Sequence, residues 1–446
     1  MRFTSLFRAD PYAAFVYADT ATMGAALVRD TTGPIRETAH RGRVLLYGSG
    51  SGNGDGNSNP DGAANPTGFK GIIGNSGGVS MTENTVKMRL HMRYNPGHGA
   101  RNENDTLPSP GSDTYSTLAE PLRANYSLFS LTGQLIAAAE RGEADFKPAF
   151  QESVERTVTA AKGSLNRQAF GNGTGVLTAV RTAALAGATV IDVDTTIYFR
   201  GGEIVDMVTI ATGAVTSPGL EVIAVNRAAR QITVSPGLTG AAAAATDGLV
   251  LASPNSTIAA PNNSWNRETQ GLRSIVASTG TLHGITPAVF PQWVSFQQGA
   301  VGAISDSVLR NAKDSVGFET GLDEDGMEFA IITTRGIRSA YADTQMPLKR
   351  HVNTQKLEGG FDVIMFDGNP IFVDDHCQPG TVYGLRLPKL EWKMLKDWSW
   401  MDEDGAVLSR VTGKDQYVAV LYQYGNLVTT HRGAHFKLEG VTDTVR

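Results

Sequence analysis

The sequence predicts an α+β fold, and three observations carry that prediction. Two stretches of period-2 alternation lie close together, at 86–94 and 122–128. An amphipathic helix of about five turns follows them. Short strands spaced by turn residues then fill 188–252 and most of the chain beyond Glu328.

In the first alternation, Val86, Met88, Leu90, Met92 and Tyr94 interleave with Lys87, Arg89, His91 and Arg93, giving a strand with one apolar and one basic face. In the second, Leu122, Ala124, Tyr126 and Leu128 interleave with Arg123, Asn125 and Ser127. Pairing the two predicts a hairpin whose long tip, Asn95–Pro121, is rich in Gly and Pro. A two-stranded hairpin is marginal in water, so this arm needs a surface to rest on. A second copy of the chain is one candidate. The intersubunit contacts expected on this basis are Val86, Lys87, Met88, Arg89, Leu90, Arg93, Arg123 and Tyr126.

Asp145 is the expected N-cap of the helix, with Pro148 in its first turn. Phe146, Phe150, Val154, Val158, Ala161 and Leu165 recur at spacings of three and four, and Gly171 and Gly173 end the run. Upstream, Leu135, Ile136 and Ala139 share a face. Expected strands are 189–193, 204–210, 220–225, 231–234 and 249–252, with a hairpin loop at Asn226–Arg230 and a linker at 253–267. Such spacing suggests a small β-barrel or sandwich. Helical patterning returns at Pro291–Ala312, and from Glu328 the pattern is strands, with turns at Asp367-Gly368, Asp404-Gly405 and Gly413.

Composition narrows the function. The chain has 446 residues, 41% hydrophobic and 19% charged, with 50 glycines, as a turn-rich globular protein would. A net charge of −5 argues against a dedicated nucleic-acid binder, which needs Lys and Arg to neutralise phosphates. The lone cysteine, Cys377, cannot form an intrachain disulfide. No apolar run has membrane-spanning length, and Arg8, Asp10 and Pro11 break up a signal-peptide core, so a soluble intracellular product is expected. The segment 1–47 is weakly basic, and 48–62 reads as a flexible linker.

No motif commits the chain to catalysis. The 48–62 stretch lacks the Lys-Ser/Thr ending of a phosphate loop, and its alternating Asp and Asn run into Pro60 and Pro66 where a calcium loop needs Gly and Glu. Gly171–Gly175 follows a helix rather than opening one. Asp374, Asp375, His376 and Cys377 are adjacent, so few of them could share one metal, and a turn is expected. Asp323–Asp325 and Asp402–Asp404 read as acidic turns. Trp392, Trp398, Trp400, Tyr417, Tyr422 and Tyr424 concentrate near the C-terminus as sheet core or subunit interface. Catalytic, cofactor-binding and metal residues are therefore assigned to none.

The order of arm, hairpin, helix and β-rich remainder resembles the major capsid protein of tailed double-stranded DNA bacteriophages, the Hong Kong 97 fold. Ala119–Tyr126 leading into Leu131–Leu135 resembles the return of that family's extended loop into its spine helix. Ser164–Gly173 resembles the helix end, and Gly271–Ile275 and Thr279–Gly284 resemble the chain after an inserted β module. Trp400–Gly405 and Leu421–Leu427 resemble the C-terminal strands. The resemblance covers about 80–440, and its specificity lies in the order of motifs that are weak singly.

It implies an N-terminal arm with its linker at 1–80 and an extended β-hairpin loop at 81–131. The spine helix, from 132 to about 170, opens a peripheral-domain segment at 132–187. An inserted small β-barrel or sandwich module spans 188–260. The axial domain lies mainly in 261–390, and peripheral-domain strands returning to it fill 391–446. The implied function is a non-enzymatic subunit of capsid hexamers and pentamers. These would assemble in the host cytoplasm into a virion shell around double-stranded DNA, without sequence-specific binding. A separate scaffolding protein, a portal and decoration proteins are the implied partners, with no membrane and no cofactor; the family's covalent cross-linking residues have no counterpart motif here. An encapsulin-like compartment, a β-rich carbohydrate-binding or tail module, and a hydrolase built on the Asp374–Cys377 or Asp402–Asp404 carboxylates stay open as alternatives.

Overall fold

A computed structural model describes residues 79–82, 84–109, 111–134, 146–242, 244–320, 329–345, 364–402 and 407–443. The expectations for 1–62, for Leu135–Asp145, for Asp323–Asp325 and for Asp404-Gly405 lie outside these residues.

The arm is an antiparallel sheet of β1 (Val79–Thr82), β2 (Thr85–Arg93) and β3 (Thr114–Pro121), in that order. This corrects the predicted hairpin. The strand returning along β2 is Thr114–Pro121, with Val86 opposite Glu120 and Met88 opposite Leu118, and the tip shrinks to Tyr94–Asp113. The polar sequence TYSTLAEP of β3 lacks clean alternation because it places Glu120 on the buried side. The tip is ordered by its own side chains. Asn95 donates to Gly111 O at 2.9 Å and accepts from Gly97 N–H at 2.7 Å, while its own N–H donates to Asp113 at 2.7 Å.

The second alternation is β4 (Arg123–Thr132), which pairs with Gln416–Thr429 rather than with the arm. Gly133 and Gln134, directly after β4, are helical, the part of the expected spine helix at 135–145 lies outside the described residues, and helix α1 spans Phe146–Ala169. Val154, Val158, Ala161 and Leu165 are buried along one side of it, as their spacing requires. Full burial of one such aliphatic side chain contributes about 1.5–3 kcal/mol.

Strands β5 (Val176–Ala179), β6 (Val190–Asp192), β7 (Ile204–Thr209), β8 (Val215–Asn226), β9 (Gln231–Ser235) and β10 (Asp247–Leu251) form one sheet ordered β5-β10-β7-β8-β9-β6. A Val180–Val193 bridge, with Arg181 N–H donating to Asp192 O and Asp194 N–H to Ala179 O, joins its two ends into a closed barrel. Val205, Met207, Leu220, Val222 and Ile232 fill the interior. Strand β5, directly after the glycine-rich turn, escapes the sequence reading. The return segment 253–267 is pinned rather than free. The buried Asp206 carboxylate accepts from Gly219 N–H at 2.8 Å, Ser256 Oγ at 2.5 Å and Asn263 Nδ2 at 2.9 Å.

A mixed sheet follows. Its first members are β11 (Phe296–Gln298), β12 (Ala330–Thr333), β13 (Met365–Phe366), β14 (Asn369–Val373) and β15 (Val382–Leu385), with helices α2 (Asp306–Thr320) and α3 (Arg335–Gln345) between them. The helix predicted at 291–312 thus starts at Asp306. The short α3, polar on average and with Gly336 in its first turn, stands where the sequence pattern reads as strands. Asp367 and Gly368, both at positive φ, make the two-residue turn between β13 and β14.

The chain closes with β16 (Leu390–Trp400), β17 (Ser409–Arg410), β18 (Gln416–Thr429) and β19 (Phe436–Leu438). Strand β19 inserts between β11 and β15 to complete the mixed sheet. Strand β18 is the spine of a second sheet, with β4 along one side and β16 and β17 along the other. Helix α1 covers one face of that sheet, where Val154 meets Phe129, Leu131 and Ala419. The C-terminal aromatics are largely core. Trp392, Trp398 and Tyr422 are buried, and the Trp392 indole lies so close over Gly425 that a Cβ there would sit 2.8 Å from Nε1.

Asp397 lies where the β16 register shifts between Lys396 and Ser399, and its Oδ1 accepts the Trp398 N–H at 2.6 Å. Burial pushes its carboxyl up to about 6, against an ordinary value of 3.8. The folded state therefore favours the protonated acid. The contribution is fully present below the unfolded value and is lost as pH rises through about 6. Asp397→Asn, which keeps the acceptor, is expected to raise the unfolding midpoint at pH 8 and leave it nearly unchanged at pH 4, measured by denaturant titration at the two pH values.

Candidate functional site

The arm is the surface feature that sequence patterning singled out, and its two faces meet different fates. Met88, Leu90 and Met92 pack with Phe290 over a core of Leu118, Ile285, Trp293 and Val428, and Val86 is wholly buried. The apolar face is thus partly covered by the arm's own subunit. Arg93 is also engaged there, donating to Val289 O at 3.1 Å with its guanidinium 5.7 Å above the Phe290 ring, while Gln292 Nε2 donates to Met92 O at 2.7 Å.

The opposite face stays open. Arg89 stacks 4.0 Å over the Tyr115 ring, and His91 packs edge-on against Tyr115 and tilted against Tyr94, which is 82% exposed. Lys87 is half-buried beside them. Of the remaining candidates, Arg123 is half-buried on the α1 side of β4, and Tyr126 is exposed on the other side, its ring edge-on to Tyr424. Arg89, Arg93 and Tyr126 are therefore exposed to another molecule, and Lys87, Met88, Leu90 and Arg123 are exposed in part.

What fixes the arm is a buried polar network at its root that the sequence reading did not single out. Glu120 Oε2 lies 2.9 Å from His283 Nδ1, and Thr429 N–H donates to His283 Nε2 at 3.2 Å. Because Nε2 accepts, the ring is the Nδ1–H tautomer and donates to Glu120. Asn426 Nδ2 donates to the other Glu120 oxygen at 2.9 Å and to Pro121 O at 2.8 Å, and its Oδ1 accepts Gln270 N–H at 2.7 Å. Ala119 N–H donates to His283 O at 2.8 Å, and His283 itself takes a positive φ of 53°. The network joins Ala119–Tyr126 to Thr279–Gly284, two of the stretches that carried the family resemblance. Neither stretch shows in the sequence that it contacts the other.

A second buried group holds the same turn. The Arg432 guanidinium donates to five backbone carbonyls: Ser274, Ile275, Thr279, Gly280 and Trp293. Burial lowers it to about 10, so it stays charged near neutrality. It fastens the turn beneath the arm to the C-terminal segment.

The groups that could have suggested chemistry lie at a joint between α1, the barrel and the mixed sheet. Asp374 accepts from Asn166 Nδ2 at 2.9 Å and from His376 N–H at 2.7 Å, and Tyr198 from the barrel donates to His376 O at 3.3 Å. Cys377 is buried beneath this joint. A cleft of about 760 Å³ opens between α1 and the barrel, lined by Arg156, Arg167, Tyr198, Arg200 and His376 among others; Arg167 is held there by Glu268. Among the described residues no three His, Cys, Asp or Glu side chains gather as metal ligands. No helix among them is long and apolar enough to cross a membrane.

No protein-family sequence model matches the chain, and no curated protein sequence is similar to it. Solved structures are similar. The capsid asymmetric unit of cyanophage A-1(L) matches at a TM-score of 0.51 with 12% identity, covering 82% of this chain and 90% of that one. The capsid of Myoviridae phage XM1 matches at 0.41 with 8% identity, covering 82% and 88%. An encapsulin complex from Synechococcus elongatus matches at 0.29 with 15% identity, covering 40% and 58%. The cyanophage likeness shows that the chain has a phage-capsid fold of mixed α and β elements.

Glu120→Ala leaves His283 and Asn426 as buried donors without their acceptor. Each such orphan costs about 1–3 kcal/mol. The variant is expected to lose at least about 2 kcal/mol in urea unfolding, while Lys87→Ala on the open face stays within about 0.5 kcal/mol of the parent.

Proposed function

We propose that this chain is a structural subunit that self-assembles, as hexamers and pentamers, into an icosahedral phage capsid enclosing double-stranded DNA. The observation that carries this reading is the fold shared with the cyanophage A-1(L) capsid protein along most of both chains. The domain assignment made from the resemblance goes with it. The root of the extended loop is locked to its own subunit, its tip reaches out from the body, and the barrel at 176–251 is an added module. The subunit performs no catalysis in this role.

The geometry of the arm suits such a task. An extension that is rigid at its root transmits a fixed direction to a contact far from the subunit's core. The basic and aromatic face formed by Lys87, Arg89, His91, Tyr94 and Tyr115 offers an amphipathic surface of the kind enriched at protein interfaces. Many repeated contacts acting together then close the shell. A net charge of −5 suits a wall that surrounds DNA without gripping it.

Deletion of the whole predicted tip, Asn95–Pro121, would also remove Leu118 and Glu120 from the core. The informative change replaces Pro96–Ser112 with a short Gly-rich turn. The expected result is a folded subunit with a near-parental melting temperature that fails to form uniform closed shells by negative-stain electron microscopy, where the parent forms them. Parent protein that stays as monomers or trimers under all assembly conditions would refute the capsid reading.

A further inference from the structure

The face of the β4–β18 pair that looks toward α1 carries, at the root of β4, polar side chains that make no hydrogen bonds. Asn125 stands directly opposite Gln423 in the register, and Arg123 stands opposite Gly425, so the three side chains share that face. Side chains paired in this way start about 5 Å apart. Gln423 is wholly buried, and among the described residues neither its Nε2 nor its Oε1 has a partner. The same holds for Arg123 Nε and Asn125 Nδ2. Gln168 of α1 covers the group and donates to Asn125 Oδ1 at 2.8 Å. The Trp392 indole closes one end, with Nε1 2.8 Å from where a Cβ on Gly425 would stand.

Three buried donors thus meet a single acceptor. Buried polar groups in folded proteins are satisfied by protein, by water or by an ion. Arg123 forms no ion pair among the described residues. An arginine keeps its charge at any ordinary pH, and a charge held against a protein interior needs a counter-charge. Water is a poor match. It accepts N–H bonds but brings two donors of its own for one Gln423 oxygen, and no charge to set against Arg123. A small anion accepts several N–H bonds at once, and bonds to a charged acceptor are the stronger kind. One arginine matches one negative charge.

We propose that the root of β4 binds a small monovalent anion of the chloride class between Arg123 Nε, Asn125 Nδ2 and Gln423 Nε2, with a companion water serving Gln423 Oε1. Arg123 is only half-buried, so the ion exchanges with solvent along its guanidinium. The bound ion ties the start of β4, where the arm enters the main sheet, to β18. The site belongs to the single subunit and does not depend on the capsid reading.

Free subunits of the parent and of Arg123→Met are melted in sodium chloride and, at equal ionic strength, in sodium gluconate, whose anion is too large for the site. Methionine keeps an apolar stem and removes the charge. With chloride about a hundredfold above its Kd, the parent is expected to melt about 3 °C higher in chloride than in gluconate, beyond any difference the variant shows. Comparing the two proteins cancels the action of the salts on the rest of the molecule. In gluconate the variant is expected to melt no lower than the parent, because among the described residues the Arg123 side chain has no hydrogen bond or ion pair to lose. Equal chloride dependence in the two proteins overturns the proposal and leaves the group to water or packing alone.

If Arg123→Met fails to fold, crystals of the parent grown in bromide decide. An anomalous difference peak among Arg123, Asn125 and Gln423 supports the anion. Water alone at that position, or a Gln423 amide turned to bond Asn125 with no bromide beside it, overturns it.

Discussion

A single buried carboxylate organises the region on which the rest of the structure turns. Glu120 is the penultimate residue of the arm's returning strand, and three residues on the chain enters the main sheet as β4. Three elements converge there: the arm, the β18 strand through Asn426 and Thr429, and the turn carrying His283. A buried charge is costly unless hydrogen bonds satisfy it, and removing a partner costs more than the pair itself contributes. That asymmetry makes the junction specific. Any other arm orientation would strand Glu120 without donors, and the Asn426 and His283 donors without Glu120.

The supporting parts reinforce this constraint in different physical terms. Arg432 holds the turn under the arm with five charge-assisted bonds to carbonyls. The Met88, Leu90 and Met92 face adds nonpolar burial against Phe290 and Trp293. Asp206 pins the segment leaving the barrel, and the Asn166–Asp374 bond fastens α1 to the mixed sheet. In the proposed shell, contacts at the arm's far end would be transmitted to a body whose parts are tied by buried polar groups.

Much of the fold was legible because its elements have one buried and one exposed face. Period 2 marked β2 and period 3.6 marked α1, and both stand near the places expected. The hairpin partner was misread for a physical reason. In β4 the apolar residues Tyr126 and Leu128 face outward, while Arg123 and Asn125 face α1, so its alternation looked like that of a hairpin strand with the usual polarity. The true partner, β3, carries Glu120 inward, where a pattern reading expects an apolar residue. The root network was invisible because its members lie far apart in sequence and none stands in a motif. Only the positive φ of His283 in the Leu282–Gly284 turn left a local trace, and no sequence rule reads it.

The capsid role asks of the arm a rigid root and an adaptable surface at its tip. Amide hydrogen exchange followed by mass spectrometry, on free subunits and on assembled particles, tests it most directly. Strong protection of 85–92 and 115–121 is expected in both states, with 94–113 exchanging quickly in the free subunit and slowly in the particle. Root amides that exchange as fast as the tip in the free subunit would contradict it.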